Sequence, residues 1–274
     1  MKPTEVEPSS SPPPRPRLAI VVVVLSALII VLFVQAPPHT LLGKADVVGY
    51  AICHRIPERS FVLGDRHFPL CARCTGTFLG ALLGLAAMLL LRRGRAAQLP
   101  PVPVLAALVG FIGLWGFDGL NSYLTLFPNA PNLYEPRNWL RMMTGLLNGL
   151  ALIIFVFPVF NFTLWREPTR ERAIKNLWEL LALLPLVALL LLAAQSGIDV
   201  ILYPLAILST VGVLVMLILI NTMIVTVILG REGYARTWYQ ALIPLTGGAA
   251  LAILQITAMD MFRAYLATKL GLPF

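Results

Sequence analysis

A succession of long apolar runs, separated by short polar or proline-bearing breaks, constrains this chain more than any other feature. A hydrocarbon layer needs about 20 consecutive helical residues per crossing, because the peptide groups must bond within the segment where no water reaches them. Such runs recur at Leu18 to Gln35, Gly76 to Leu91, Val102 to Leu124, Trp139 to Phe160, Leu177 to Ala194, Val200 to Leu229 and Ala241 to Ala258. The breaks include Arg92-Arg93-Gly94-Arg95, Pro128-Asn129-Ala130-Pro131-Asn132 and Arg231-Glu232-Gly233-Tyr234-Ala235-Arg236. Composition agrees, since 58% of the 274 residues are hydrophobic and 12% charged, against about 25% charged in soluble domains. The expected fold is all-α, a polytopic transmembrane helix bundle of about seven spans with the lipid bilayer as its main partner.

The first run is open to two readings. Arg15 and Arg17 precede it and Val34-Gln35-Ala36 follows like a small-residue cleavage site, as in a secretory signal. Its length, and Pro37-Pro38 directly after Ala36, favour a retained anchor. Residues 1–17 are rich in proline and serine, which predicts a disordered tail. With the N-terminus in the cytoplasm, twelve of the 21 lysines and arginines fall inside and nine outside, the bias expected of a multi-pass cell-membrane protein. The pI of 9.8 therefore reflects topology, and it argues against nucleic acid as a partner. No period of 20 to 50 residues repeats, which excludes a solenoid or a duplicated transporter.

One dense constellation stands outside the apolar runs. The chain reads Cys53-His54-Arg55-Ile56-Pro57-Glu58-Arg59-Ser60-Phe61 and then Pro69-Leu70-Cys71-Ala72-Arg73-Cys74-Thr75-Gly76, and it holds all three cysteines of the protein. On these two segments the sequence resembles the prokaryotic multi-pass membrane proteins grouped as domain of unknown function 2085. The resemblance extends more weakly through Phe117-Asp118-Gly119-Leu120-Asn121 and Asn138-Trp139-Leu140-Arg141-Met142-Met143-Thr144-Gly145. It covers roughly Asp46 to Gly149 and implies a membrane location and a helical fold for a family-like region at 18–149 with an outer Cys/His/Arg loop at 37–75, while the apolar runs themselves predict the additional helices over 150–274. It implies no activity.

The residues themselves suggest the chemistry. A Cys-x-x-Cys pair at a helix start sets two thiols within a turn, and a third thiol with an imidazole completes the four soft ligands zinc prefers. Cys53, His54, Cys71 and Cys74 make that set, with His67 as a substitute fourth ligand. The competing reading is thiol-disulfide exchange at Cys71 and Cys74, with Cys53 as resolving thiol and Arg73 plus the helix N-terminus stabilising the thiolate. A third reading is one disulfide that staples the loop.

Alternating topology brings the outer ends of the second, third and fourth helices together. Asp118 and Asn121 lie near the end of one, while Arg141, Gly145 and Asn148 share a face of the next. Charges at membrane depth need partners or a polar cavity, so Asp118 and Arg141 are expected to pair. Arg55, Arg59, Arg73, Arg137 and Arg141, with Asn121 and Asn148, make a candidate site for an anionic lipid or small-molecule ligand. Asp118, Cys71 and Cys74 are the candidate catalytic groups, Asp118 as base toward metal-activated water or the thiols in exchange with a quinone. The rival class is a non-enzymatic transport or binding module. Gly76, Gly80 and Gly84 recur every four residues and predict close helix packing.

Overall fold

The computed structural model describes residues 16–127, 131 and 133–270. The tail expected at 1–17 lies outside the described residues up to position 15, as does the break at 128–132 apart from Pro131. The chain runs α1 (Pro16–Gln35), α2 (Leu41–Ile52), a 3-10 turn (Pro57–Arg59), β1 (Ser60–Leu63), β2 (Arg66–Cys71), α3 (Ala72–Leu90), β3 (Ala96–Gln98), α4 (Val102–Leu124) and α5 (Asn138–Leu164). It continues through β4 (Thr169–Arg172), α6 (Leu177–Leu181), α7 (Leu184–Gln195), α8 (Asp199–Ile228) and α9 (Trp238–Leu270).

Six segments among the described residues are long and apolar enough to cross a membrane: α3, α4, α5, α6 with α7, α8 and α9. The described apolar part of α1, Ile20–Gln35, is shorter. Two bounds differ from the sequence expectation for identifiable reasons. The run from Leu177 to Ala194 breaks between α6 and α7, where Pro185 in the first turn of α7 has no N–H to continue the ladder. α9 continues past Ala258 through Asp260 and Arg263, because Arg263 turns inward and donates to the carbonyls of Tyr50 and Cys53.

α5 is the central helix. Met142, Leu146, Leu150, Ile153 and Ile154 are fully buried along it and join both large apolar clusters of the core. It meets α3 almost backbone to backbone. A methyl group added at Gly76 or Gly80 would overlap the Met142 or Leu146 carbonyl, and one added at Gly145 or Gly149 would overlap the Arg73 or Thr77 carbonyl. Small residues four apart on both partners permit this approach where lipid offers no hydrophobic drive for helix association.

The segment expected as a loop at 37–75 is folded. Thr40 caps α2 by accepting from the Gly43 N–H at 3.1 Å. Gly49 lets that helix lie on the backbone of Pro69. β1 and β2 form an antiparallel hairpin whose register pairs Ser60 with Cys71 and Leu63 with Arg66. Its two-residue turn begins at Gly64 with φ +56°, the backbone that primed hairpin turns require of their first central residue. Asp199 at the start of α8 accepts from the Gly64 N–H at 3.0 Å and anchors the hairpin to the bundle.

At the opposite end β3 and β4 pair in parallel, and Arg93 makes a bidentate bridge to Glu179 at 2.6 and 2.8 Å. Trp165 at this end is buried, bonded to Asn161 and covered by Arg95.

Candidate metal centre and its arginine network

The three cysteines, 18 and 3 residues apart in sequence, converge at the cap of α3. Their sulfurs all lie within 4.8 Å of one another. Three elements deliver them. The end of α2 supplies Cys53, the end of β2 supplies Cys71, and the first turn of α3 supplies Cys74. Cys53 and Cys71 are buried and Cys74 is half-buried.

The Cys53 sulfur accepts two backbone N–H groups, from Cys71 at 3.3 Å and Arg55 at 3.5 Å. Arg55 reaches this position with φ +47°, a left-handed conformation costly for a side chain with a Cβ. Donation from the Cys71 and Cys74 thiols, followed by these N–H groups, holds the Cys53 thiol well below its ordinary pKa. Cys71 is pushed up, chiefly because its proton is shared with the Cys53 sulfur. His54 and His67 are exposed and stand outside this group, which corrects the expectation that His54 would be a fourth ligand. Adjacent residues leaving a helix point in different directions, and the chain directs Cys53 inward and His54 to the surface.

Between the last two cysteines, Arg73 points the other way. Its Nε and Nη2 donate to one oxygen of Asp118 at 3.2 and 2.5 Å, and Nη2 also reaches Ser122 Oγ at 2.9 Å. Asp118 is therefore paired with Arg73 rather than Arg141. The reason is reach, since the α3 and α5 backbones nearly touch at Gly145, which brings Arg73 over the carboxylate on α4. Tyr134 Oη donates to the other Asp118 oxygen at 2.8 Å, and Thr144 Oγ1 lies 3.4 Å from the first. Burial, then the bond to Asp118, pushes the Tyr134 hydroxyl up to about 12. Arg141 stays within the same network by another route: Nε lies 3.4 Å from Ser122 Oγ and Nη1 2.9 Å from Asn138 Oδ1.

The remaining candidates separate. Arg59 joins the network, donating to the Ser122 carbonyl at 3.1 Å. Arg55 and Arg66 instead share Asp46, and with Tyr50 and His67 they line a surface cleft of about 460 Å³. Asn121 organises the following connection, donating to the Tyr134 carbonyl at 2.9 Å and accepting from the Leu133 N–H at 2.8 Å. Asn148 is buried on α5, and Arg137 is exposed at its N-cap. Ser122, Tyr134 and the hairpin were not anticipated. Ser122 is four residues after Asp118 on a helix, and Gly64-Asp65 between two strand-like runs is a hairpin signal, so both were within reach of spacing arguments.

A family model described as predicted membrane protein, domain of unknown function 2085, matches residues 53–155, a stretch that opens on Cys53 and contains the whole arginine network. An uncharacterized protein of Methanothermobacter thermautotrophicus is 35% identical over 103 residues, covering 38% of this chain and 82% of that protein. An uncharacterized protein of Methanocaldococcus jannaschii is 27% identical over 116 residues, covering 42% of this chain and 68% of its own length. No solved structure matches the chain. With that matched stretch and a relative covered over most of its length, the chain belongs to the domain of unknown function 2085 family of predicted membrane proteins.

Proposed function

We propose that this membrane protein carries a soft-metal centre, with zinc as the ion, held by Cys53, Cys71 and Cys74 at the extracytoplasmic edge of the bundle. The observation that carries the reading is the convergence of the three sulfurs within 4.8 Å. Zinc–thiolate bonds of about 2.3 Å in a tetrahedron imply sulfur separations of about 3.8 Å, so the trio needs only a small contraction. The donor set fits as well. Backbone N–H groups aimed at Cys53 stabilise negative charge on sulfur, and metal binding would displace the shared protons.

Three protein ligands leave a fourth position open, as catalytic rather than structural zinc sites do. A bound ion would supply Lewis acidity there. The protein's own part is to fix the ligands: the hairpin holds Cys71 against Cys53, and Arg73 ties the Cys-x-x-Cys turn to α4 through Asp118. The twelve-to-nine bias of lysine and arginine, which counts Lys2, Arg15 and Arg17 of the N-terminal tail with the β3/β4 end, supports a cytoplasmic side there and an extracytoplasmic cysteine end.

Elemental analysis of detergent-purified protein, paired with a free-thiol count, tests this reading. About one equivalent of zinc, with thiols that react only after chelation, is the expected result. Metal-free protein with a Cys71–Cys74 disulfide would contradict it and favour thiol exchange or a stapling bridge. Three reduced thiols that hold no metal and are inert toward disulfides would contradict both the metal and the thiol-exchange readings.

A further inference from the structure

Ser122, fully buried near the end of α4, is approached by three guanidinium groups from three different elements. Arg59 reaches its carbonyl at 3.1 Å, Arg73 its hydroxyl at 2.9 Å, and Arg141 the same hydroxyl at 3.4 Å. One carboxylate, Asp118, faces them, and Arg73 occupies it. Arg141 is 6% exposed and its hydrogen-bond partners, Ser122 and Asn138, are both neutral. Arg59 likewise donates to a neutral carbonyl.

Like charges buried together are unfavourable, and an ionised side chain at the membrane edge needs a counter-charge or a wet cavity. A solvated basic face does not account for this arrangement, because Arg141 is withdrawn from solvent and aimed at the same residue as its neighbours. Planar guanidiniums with several fixed donors suit an oxyanion, which can accept from more than one of them at once.

We propose that Arg59, Arg73 and Arg141 form a binding site for a phosphate-type oxyanion, carried by a phospholipid headgroup or by free phosphate. Among the described residues Arg73 is the member of the trio in a direct ion pair, so the anion is held chiefly by Arg59 and Arg141, with Arg73 set in place by Asp118. Arg73 lies between Cys71 and Cys74 in sequence but turns away from them to Asp118 and Ser122, which sets the site on the α4 side of the cysteine cap. The site rests on the arginines and Ser122, not on metal at the thiols, and it stands if the metal reading fails.

Full-length protein, delipidated in a neutral detergent, is titrated with inorganic phosphate and separately with a short-chain phosphatidic acid. Chloride at matched ionic strength serves as reference, and binding is read by calorimetry and by the melting temperature. Saturable binding near one equivalent is expected, weakened at least about tenfold in Arg141→Gln by loss of a charge-assisted contact. Arg59→Gln, on the more accessible 3-10 turn, should weaken binding similarly and keeps the test open if Arg141→Gln does not fold. Arg170→Gln at the opposite end should bind as wild type. Binding of both ligands identifies free phosphate as sufficient, while binding of the phosphatidic acid alone identifies a lipid headgroup. No binding beyond chloride, or equal weakening by Arg59→Gln and Arg170→Gln, would overturn the proposal.

Discussion

At the scale of single residues, pairing follows from where the backbone allows side chains to meet. Asp118 and Arg141 are natural partners by sequence, both charged and both near the outer ends of successive helices. Arg73 reaches the carboxylate first because glycines on α3 and α5 draw those helices together. No one-dimensional pattern contains that approach distance. The pairing predicts that Asp118→Asn and Arg73→Gln each lower stability by about 3–5 kcal/mol, the usual penalty for stranding one member of a buried pair. In a double-mutant cycle read by thermal unfolding, Asp118 should couple more strongly to Arg73 than to Arg141. A larger coupling to Arg141 would refute the assignment. His54 belongs to the same scale. Its exposure predicts that His54→Ala keeps the zinc content of wild type while Cys53→Ser lowers it, as measured by elemental analysis.

At the scale of elements, the long apolar runs and their polar breaks were sufficient to bound α4 at Val102 and Leu124 and to find the other long helices. Apolar runs do not reveal the folded cap, where α2 and the hairpin are short and mixed in polarity; the Gly64-Asp65 turn was legible as a signal, but the contacts that hold the cap, such as Gly49 on Pro69 and Gly64 on Asp199, were not. Glycines separate into two kinds that sequence spacing only partly distinguishes. Gly80 and Gly149 have no room for a Cβ, whereas Gly110 and Gly116 on α4 face open space. Gly149→Ala should therefore destabilise the protein by about 1–3 kcal/mol through overpacking. Gly116→Ala should be neutral or stabilising by up to about 1 kcal/mol through helix propensity. Equal effects in thermal unfolding would show that the α3–α5 contact is not as close as described.

At the scale of the whole molecule, the bundle has two chemically different ends. The cysteine cap, the Asp118 network and Arg263 gather at one, while Arg93, Arg95 and the β3/β4 pair gather at the other. Reporter cysteines placed at Arg137 and Arg170 should label from opposite sides of a sealed membrane, and labelling from one side would overturn the span count between them. The sequence made the existence of a cysteine site legible because all three thiols fall within a short stretch. It did not make the geometry of that site legible, since whether Cys53 and His54 both point inward depends on the turn that follows α2. X-ray absorption at the zinc edge tests the proposed metal centre most directly. A first shell of three sulfurs at about 2.3 Å with one lighter ligand at about 2.0–2.2 Å is the predicted result. A shell of lighter ligands without sulfur would contradict a metal centre built from Cys53, Cys71 and Cys74.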